Sequence, residues 1–159
     1  DILVGASYKE YWLDSRGTLF ADNAYLIEAE IEVKSADRVG FKIAQEADSL
    51  NYKKNKFETK VYYDVKKKSL ILDRLKSSVK HHHQFPSIEQ ANYELKDGIL
   101  KLQILVDRMS VEVFANDGLT TITDLIFPSE KAKILSIFTE NGKSKVRKLK
   151  IWNLKDKSK

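Results

Sequence analysis

The sequence contains no cysteine, which removes disulfides, thiolate chemistry and cysteine-ligated metal sites together. Proline is nearly missing as well, with Pro86 and Pro128 the only two. The six glycines are scattered and form no phosphate-cradling loop. No apolar run approaches the roughly 20 residues of a membrane helix, so no membrane partner is expected. No stretch sustains a helical period beyond two turns. The first residue is Asp1 rather than Met, with no signal segment before it, and we expect a piece of something longer.

What remains is a chain of 159 residues, 42% hydrophobic and 32% charged. That balance suits one soluble domain with a real core. Net charge is +5, unevenly placed. Residues 1–50 sum to −5 and residues 51–80 to +7. The basic block runs through Lys53, Lys54, Lys56, Lys60, Lys66, Lys67, Lys68, Arg74, Lys76 and Lys80. It is almost all lysine, whereas phosphate recognition favours the arginine fork, so no nucleic-acid partner is expected. Solvated loops and a lysine-protected edge strand account for it instead.

Period-2 alternation is the dominant signal. Ile27, Ala29, Ile31 and Val33 alternate with Glu28, Glu30 and Glu32, giving a strand with one apolar and one acidic face. Similar runs are centred on 39–43, 61–63, 69–73, 100–106, 111–113, 125–127, 134–138 and 146–154. Lys96-Asp97-Gly98, Asn116-Asp117-Gly118 and Glu140-Asn141-Gly142 supply turn residues that tolerate positive φ. Lys66-Lys67-Lys68 is expected to tip a further hairpin. Ser87-Ile88-Glu89-Gln90 reads as a capping box for a brief helical turn. Short strands with turns every 8 to 12 residues predict an all-β fold, a two-sheet antiparallel sandwich or barrel.

Candidate chemistry is thin. His81-His82-His83 is a poor metal site, because consecutive strand residues point to opposite faces. No metal or cofactor is expected. Asp73, Asp107, Glu112 and Asp124 are the carboxylates to weigh, since glycoside hydrolysis needs a facing pair. Asp73-Arg74 and Asp107-Arg108 repeat one dipeptide at the end of an apolar strand. They suit either an ion pair in a ligand site or charge-assisted bonds that pin strand ends or an interface. Tyr8, Tyr11, Trp12, Tyr52, Tyr62 and Trp152 are the aromatics available for sugar stacking. Ser110 has no histidine near it in sequence.

The stretch from Leu100 to Ser129, LKLQILVDRMSVEVFANDGLTTITDLIFPS, resembles the C-terminal β-sandwich module of glycoside hydrolase family 32. The most specific part is Val106-Asp107-Arg108 leading into Ser110-Val111-Glu112-Val113-Phe114, then the Asn116-Asp117-Gly118 hairpin and Thr123-Asp124 to Phe127-Pro128. Leu70 to Arg74 is similar to the family's first Asp-Arg strand, and Val146 to Leu154, with Trp152, to its last strand. Met109 departs from the small polar residue usual after Asp-Arg.

The resemblance implies a concanavalin A-like, jelly-roll sandwich over residues 25–155. Residues 1–24 would join it, and 156–159 would form a polar tail. It also implies a parent β-fructosidase of the levanase, inulinase or invertase type, whose chemistry resides in a five-bladed propeller. The propeller's Asp-Pro and Glu-Cys motifs have no counterpart here, since both prolines follow phenylalanine and cysteine is absent. No catalytic residue carries over. The expected role is to brace the propeller, with Asp73, Arg74, Asp107, Arg108, Glu112 and Asp124 as interface or structural candidates. Contributions to an oligomer or to fructan contact also follow from the resemblance. An independent carbohydrate-binding module is the alternative. The Thr123 to Pro128 wording is closer to levanase and inulinase modules, which implies an extracellular parent, with a cytoplasmic one left open.

Overall fold

A computed structural model describes residues 11–13, 17–20, 24–47, 50, 55–77 and 87–154; the side chains of 11–13, 17–20, 47, 55 and 56 lie outside that description. His81-His82-His83, Tyr8, Tyr52, Lys53, Lys54, Lys80 and the tail at 156–159 also lie outside the described residues.

Among the described residues the only regular elements are strands: β1 (Tyr11–Leu13), β2 (Gly17–Phe20), β3 (Tyr25–Glu32), β4 (Arg38–Ala47), β5 (Asn55–Asp64) and β6 (Ser69–Lys76) in the first half. The second half carries β7 (Ile88–Asn92), β8 (Ile99–Val106), β9 (Ser110–Ala115), β10 (Thr120–Leu125), β11 (Ile134–Glu140) and β12 (Ser144–Asn153). They form two six-stranded sheets, β1-β12-β3-β8-β9-β10 and β2-β11-β4-β5-β6-β7, antiparallel throughout. The expected all-β antiparallel sandwich is what the chain forms.

Alternation explains the layering. On β3, Ile27, Ala29 and Ile31 are buried, while Glu28, Glu30 and Glu32 face out. Leu100, Leu102 and Ile104 of β8 and Leu149 and Ile151 of β12 fill the same inner face. Val39, Phe41, Ile43, Val61, Leu70, Leu72, Leu135 and Ile137 meet them from the second sheet. Register in the first sheet is reinforced by charge. Acidic β3 lies between strands that place Lys145, Lys148 and Lys150 opposite Glu32, Glu30 and Glu28 on one side, and Lys101 and Gln103 opposite Glu30 and Glu28 on the other. Glu32 also meets Arg147 and, at 3.2 Å, Lys34. Its carboxyl is held below the usual range, chiefly by the Lys34 hydrogen bond.

Three readings need correction. Ser87 to Gln90 is not a helical turn: residues from Ile88 onward extend as β7 along β6, because the sheet offers ladder bonds that an isolated turn lacks. The strand expected at Leu125–Phe127 is β10, Thr120 to Leu125, whose outward threonines break the apolar run. The lysine block does not guard an edge: β5 and β6 are interior strands, Lys60 and Lys76 lie outside the core on them, and Lys66, Lys67 and Lys68 lie in the turn between them.

The two ends of the sandwich differ. Lys34, Lys68, Asp97, Gly98, Asn116, Asp117, Gly118, Asn141 and Gly142 all have positive φ and all lie in the turns at one end. Backbone bonds lace those turns together, including Asp37 N–H to Glu140 O (2.9 Å), Val65 N–H to Asp37 O (3.0 Å) and Tyr93 N–H to Lys68 O (3.0 Å). We call this the hairpin end. The opposite, open end holds the connections β4–β5, β6–β7, β8–β9 and β10–β11.

The second sheet's outer face carries a small core of its own. Phe138, Gly40, Tyr62 and Ile71 stand in one row across β11, β4, β5 and β6. The rings of Tyr62 and Phe138 meet edge-on at 5.8 Å, and Ile71 is buried beside them. Arg38 caps Tyr62 at 5.4 Å and Lys42 caps Phe138 at 5.6 Å. A Cβ on Gly40 would overlap Val61 O and the backbone of Tyr62. Gly40→Ala is therefore expected to cost about 2–4 kcal/mol by overpacking and backbone shift. Urea unfolding of the variant checks this, and an unchanged midpoint would contradict it.

Candidate functional site at the open end

Arg74 and Asp124 come together although fifty residues separate them in sequence. Arg74 follows Leu70 and Leu72 on the inner parity of β6, and Asp124 follows Ile122 on that of β10. Both reach the open end beneath the sheets, where Arg74 Nε lies 2.9 Å from Asp124 Oδ2. The same nitrogen donates to Ser87 Oγ (2.8 Å), and Nη1 donates to the carbonyl of Leu125 (3.0 Å). Ser87 Oγ in turn donates to Glu89 Oε1 (3.0 Å). One guanidinium thus ties β6, the start of β7 and the end of β10. The ion pair joins one sheet to the other on the side where β7 and β10 are the last strands. With side chains only 11% and 17% exposed, the pair is shielded well beyond an ordinary surface bridge.

The other predicted site residues fall elsewhere. Asp73 faces away from the core, and its Oδ1 accepts from Leu75 N–H (3.0 Å). Asp107 is exposed in the β8–β9 turn, where its Oδ1 accepts from Arg108 N–H (2.7 Å) and its own N–H donates to Ser110 O (2.9 Å). Arg108 borders a cleft of about 250 Å³ with Pro128, Ser129 and Glu130. Glu112 stands on the outer face of the first sheet, opposite Leu105 and Thr123. Asp73 and Glu112 lie on opposite outer faces, so these carboxylates do not form the facing pair that glycoside hydrolysis requires. Ser110 opens β9 and lies opposite Leu125.

Exposed apolar side chains mark the same end. Leu75 follows Arg74, Ile88 pairs with Asp73, and Leu125 supplies the carbonyl that Arg74 holds. Met109 accepts from Ile126 N–H through its carbonyl. These four, with Leu50 and Leu154, are large hydrophobics left exposed at the open end, against Val65 and Leu119 at the hairpin end. Met109 is 59% exposed and Leu125 53%. These residues are scattered through the sequence, and the strand directions bring them to one end of the sandwich.

Of the aromatics considered for sugar stacking, Tyr62 is buried in the outer cluster and cannot serve. Trp152 is half-buried on the outer face, with Lys150 Nζ 6.0 Å from its ring. The aromatic that sequence reasoning passed over is Phe114. Its outward place was legible, since Val111, Val113 and Ala115 take the inward parity of β9.

The chain is thus a two-sheet antiparallel sandwich whose two ends differ in chemistry. In comparison with known families, residues 7–153 match the model described as "Glycosyl hydrolases family 32 C terminal". The chain belongs to that family of C-terminal domains. It is 39% identical over 137 residues to the levanase of Bacillus subtilis (strain 168), covering 84% of this chain and 19% of the relative. It is 34% identical over 135 residues to the levanase of Bacillus sp. (strain L7), covering 14% of that protein. The crystal structure of exo-inulinase from Aspergillus awamori superposes with a TM-score of 0.83 at 26% identity, covering 98% of this chain and 29% of that one. The chain therefore spans about a fifth of the length of the first levanase it matches.

Removing one partner of the Arg74–Asp124 pair should cost about 1–3 kcal/mol, because the other is left with a part-buried charge. Arg74→Lys should recover little, since an ammonium cannot reach Asp124, Ser87 and Leu125 together. Urea unfolding of Arg74→Ala, Asp124→Ala and the double variant checks this. Simple addition of the two losses would show that the pair is uncoupled.

Proposed function

We propose that this chain is the non-catalytic C-terminal sandwich of a β-fructosidase and that it braces the catalytic propeller through its open end. The observation that carries the reading is that Leu75, Ile88, Met109, Leu125 and Leu154, most of the large exposed hydrophobics among the described residues, all lie at the open end, where the Arg74–Asp124 pair ties the sheets. An end rich in exposed hydrocarbon on fixed strand ends is what a partner inside the same polypeptide covers: hydrocarbon supplies the affinity, and the pinned strand ends supply a rigid seat. The hairpin end, rich in lysines, asparagines and glycines, exposes only Val65 and Leu119 among its described large hydrophobics. Residues 25–155 form the body of the module in this reading, and 1–24 join the sandwich through β1 and β2.

Asp73, Asp107 and Arg108 frame this seat, and Arg74 and Asp124 hold its strands in place. Met109, where the family usually has a small polar residue, adds exposed apolar area at this end. The levanase and exo-inulinase relatives point to a fructan as the parent's substrate. Where no propeller covers the patch, a second copy of this chain is the alternative partner for it.

Two outcomes follow. The 159-residue chain alone should show no hydrolysis of sucrose, levan or inulin, measured as released fructose; turnover above a heat-treated control would contradict the reading. Replacing the matched domain of the Bacillus subtilis levanase with this chain should give a folded hybrid. Met109→Asp with Leu125→Asp should then leave the isolated chain's own unfolding midpoint within about 0.5 kcal/mol, as for exposed positions. The same pair should lower the melting temperature of the hybrid's catalytic domain. An unaffected hybrid would show that docking uses another surface.

A further inference from the structure

The outer face of the first sheet contains a groove of about 230 Å³, remote from the open end. Strand register sets its composition. One row across the sheet reads Lys150, Glu28, Gln103, Phe114 and Thr121; the next reads Lys148, Glu30 and Lys101. The β9–β10 hairpin closes one side with Asp117 and Gly118.

The charges in this groove are mostly committed to one another. Lys101 Nζ is 2.9 Å from Asp117 Oδ1, and that hydrogen bond raises the lysine's pKa. Lys148 Nζ is 3.7 Å from Glu28 Oε2, and Gln103 Nε2 donates to Glu28 Oε1 at 3.2 Å. Glu30, flanked in register by both lysines, has no ion-pair or hydrogen-bond partner among the described residues. Its carboxylate adds to the field on Lys101 and lines a nearly charge-balanced groove that the half-buried Phe114 also lines.

We propose that this groove binds a neutral saccharide, with Glu30 accepting from a pair of adjacent hydroxyls and Phe114 lying under the ring's C–H face. Near-balance of charge disfavours a strongly ionic ligand, whereas a carboxylate, a primary amide and two lysine donors around an aromatic floor match a polyol. The volume is below that of a drug-sized pocket, which starts at about 300 Å³, and suits one sugar ring with its neighbours lying along the sheet. The choice of a short fructan segment as the saccharide rests on the reading of the parent as a β-fructosidase. The groove is separate from the docking seat, so either assignment can fail alone.

The test is a titration of the isotopically labelled chain, followed by amide NMR, with short inulin-derived and levan-derived fructo-oligosaccharides. Maltotriose and calcium chloride are the control probes. Saturable shifts at millimolar ligand are expected at Gln103, Phe114 and Glu30. Glu30→Ala and Phe114→Ala should each weaken binding about tenfold, the effect of one well-made contact. Phe114→Tyr should retain it. The dispersed amide spectrum of Glu30→Ala confirms that the fold persists, whatever Phe114→Ala does. Binding of one fructan series alone supports the proposal and fixes the linkage. Equal binding of maltotriose overturns the fructan assignment. Shifts with calcium alone, shifts that map elsewhere, affinity unchanged in Glu30→Ala, or no saturation overturn the site.

Discussion

The inner faces of the two sheets bury each other, and every other feature of this domain depends on that contact. No disulfide is available to hold the layers together. Isoleucine, leucine and valine at every second position must exclude water between two sheets whose outer faces are largely charged. A one-residue slip in any central strand would put its glutamates or lysines into that layer, so burial fixes register as well as stability. The cross-strand charges around β3 act on top of this. Exposed pairs of their kind contribute only about 0–1 kcal/mol each, yet they all favour the same alignment.

Given that core, the ends of the strands decide what the domain can do. At the hairpin end, short turns with left-handed residues satisfy their backbone groups among themselves and present polar side chains. At the open end the strand ends are tied by Arg74 reaching across to Asp124. A guanidinium there serves geometry: one planar group meets a carboxylate, a hydroxyl and a carbonyl from three segments. The exposed apolar side chains of that end extend from strand ends held in this way.

Much of this fold was legible in the sequence. Alternation at 27–33 and 100–106 marked the strands and their buried faces, and the Asn-Asp-Gly and Asn-Gly turns marked the hairpin end. Three features were hidden for definable reasons. β7 was masked by a local capping pattern, whereas Ser87 takes its partner from Arg74, thirteen residues away. Tyr62 stood among the aromatics available for sugar stacking, but the missing side chain of Gly40 lets Phe138 and Ile71 close over it, a meeting of four strands. The six candidate site residues were visible as charges in a motif. Only Arg74 and Asp124 pair with each other, because inward parity and the position of β7 beside β10 depend on the whole topology.

The central claim, that the open end seats the domain on its catalytic neighbour, is tested most directly by hydroxyl-radical footprinting. The chain alone is compared with the same chain within the levanase hybrid. The account predicts strong protection in the hybrid at Leu75, Ile88, Met109, Leu125 and Leu154, with Leu119 at the hairpin end unchanged. Protection of Leu119 and the hairpin turns, with Met109 and Leu125 as reactive as in the isolated chain, would contradict it.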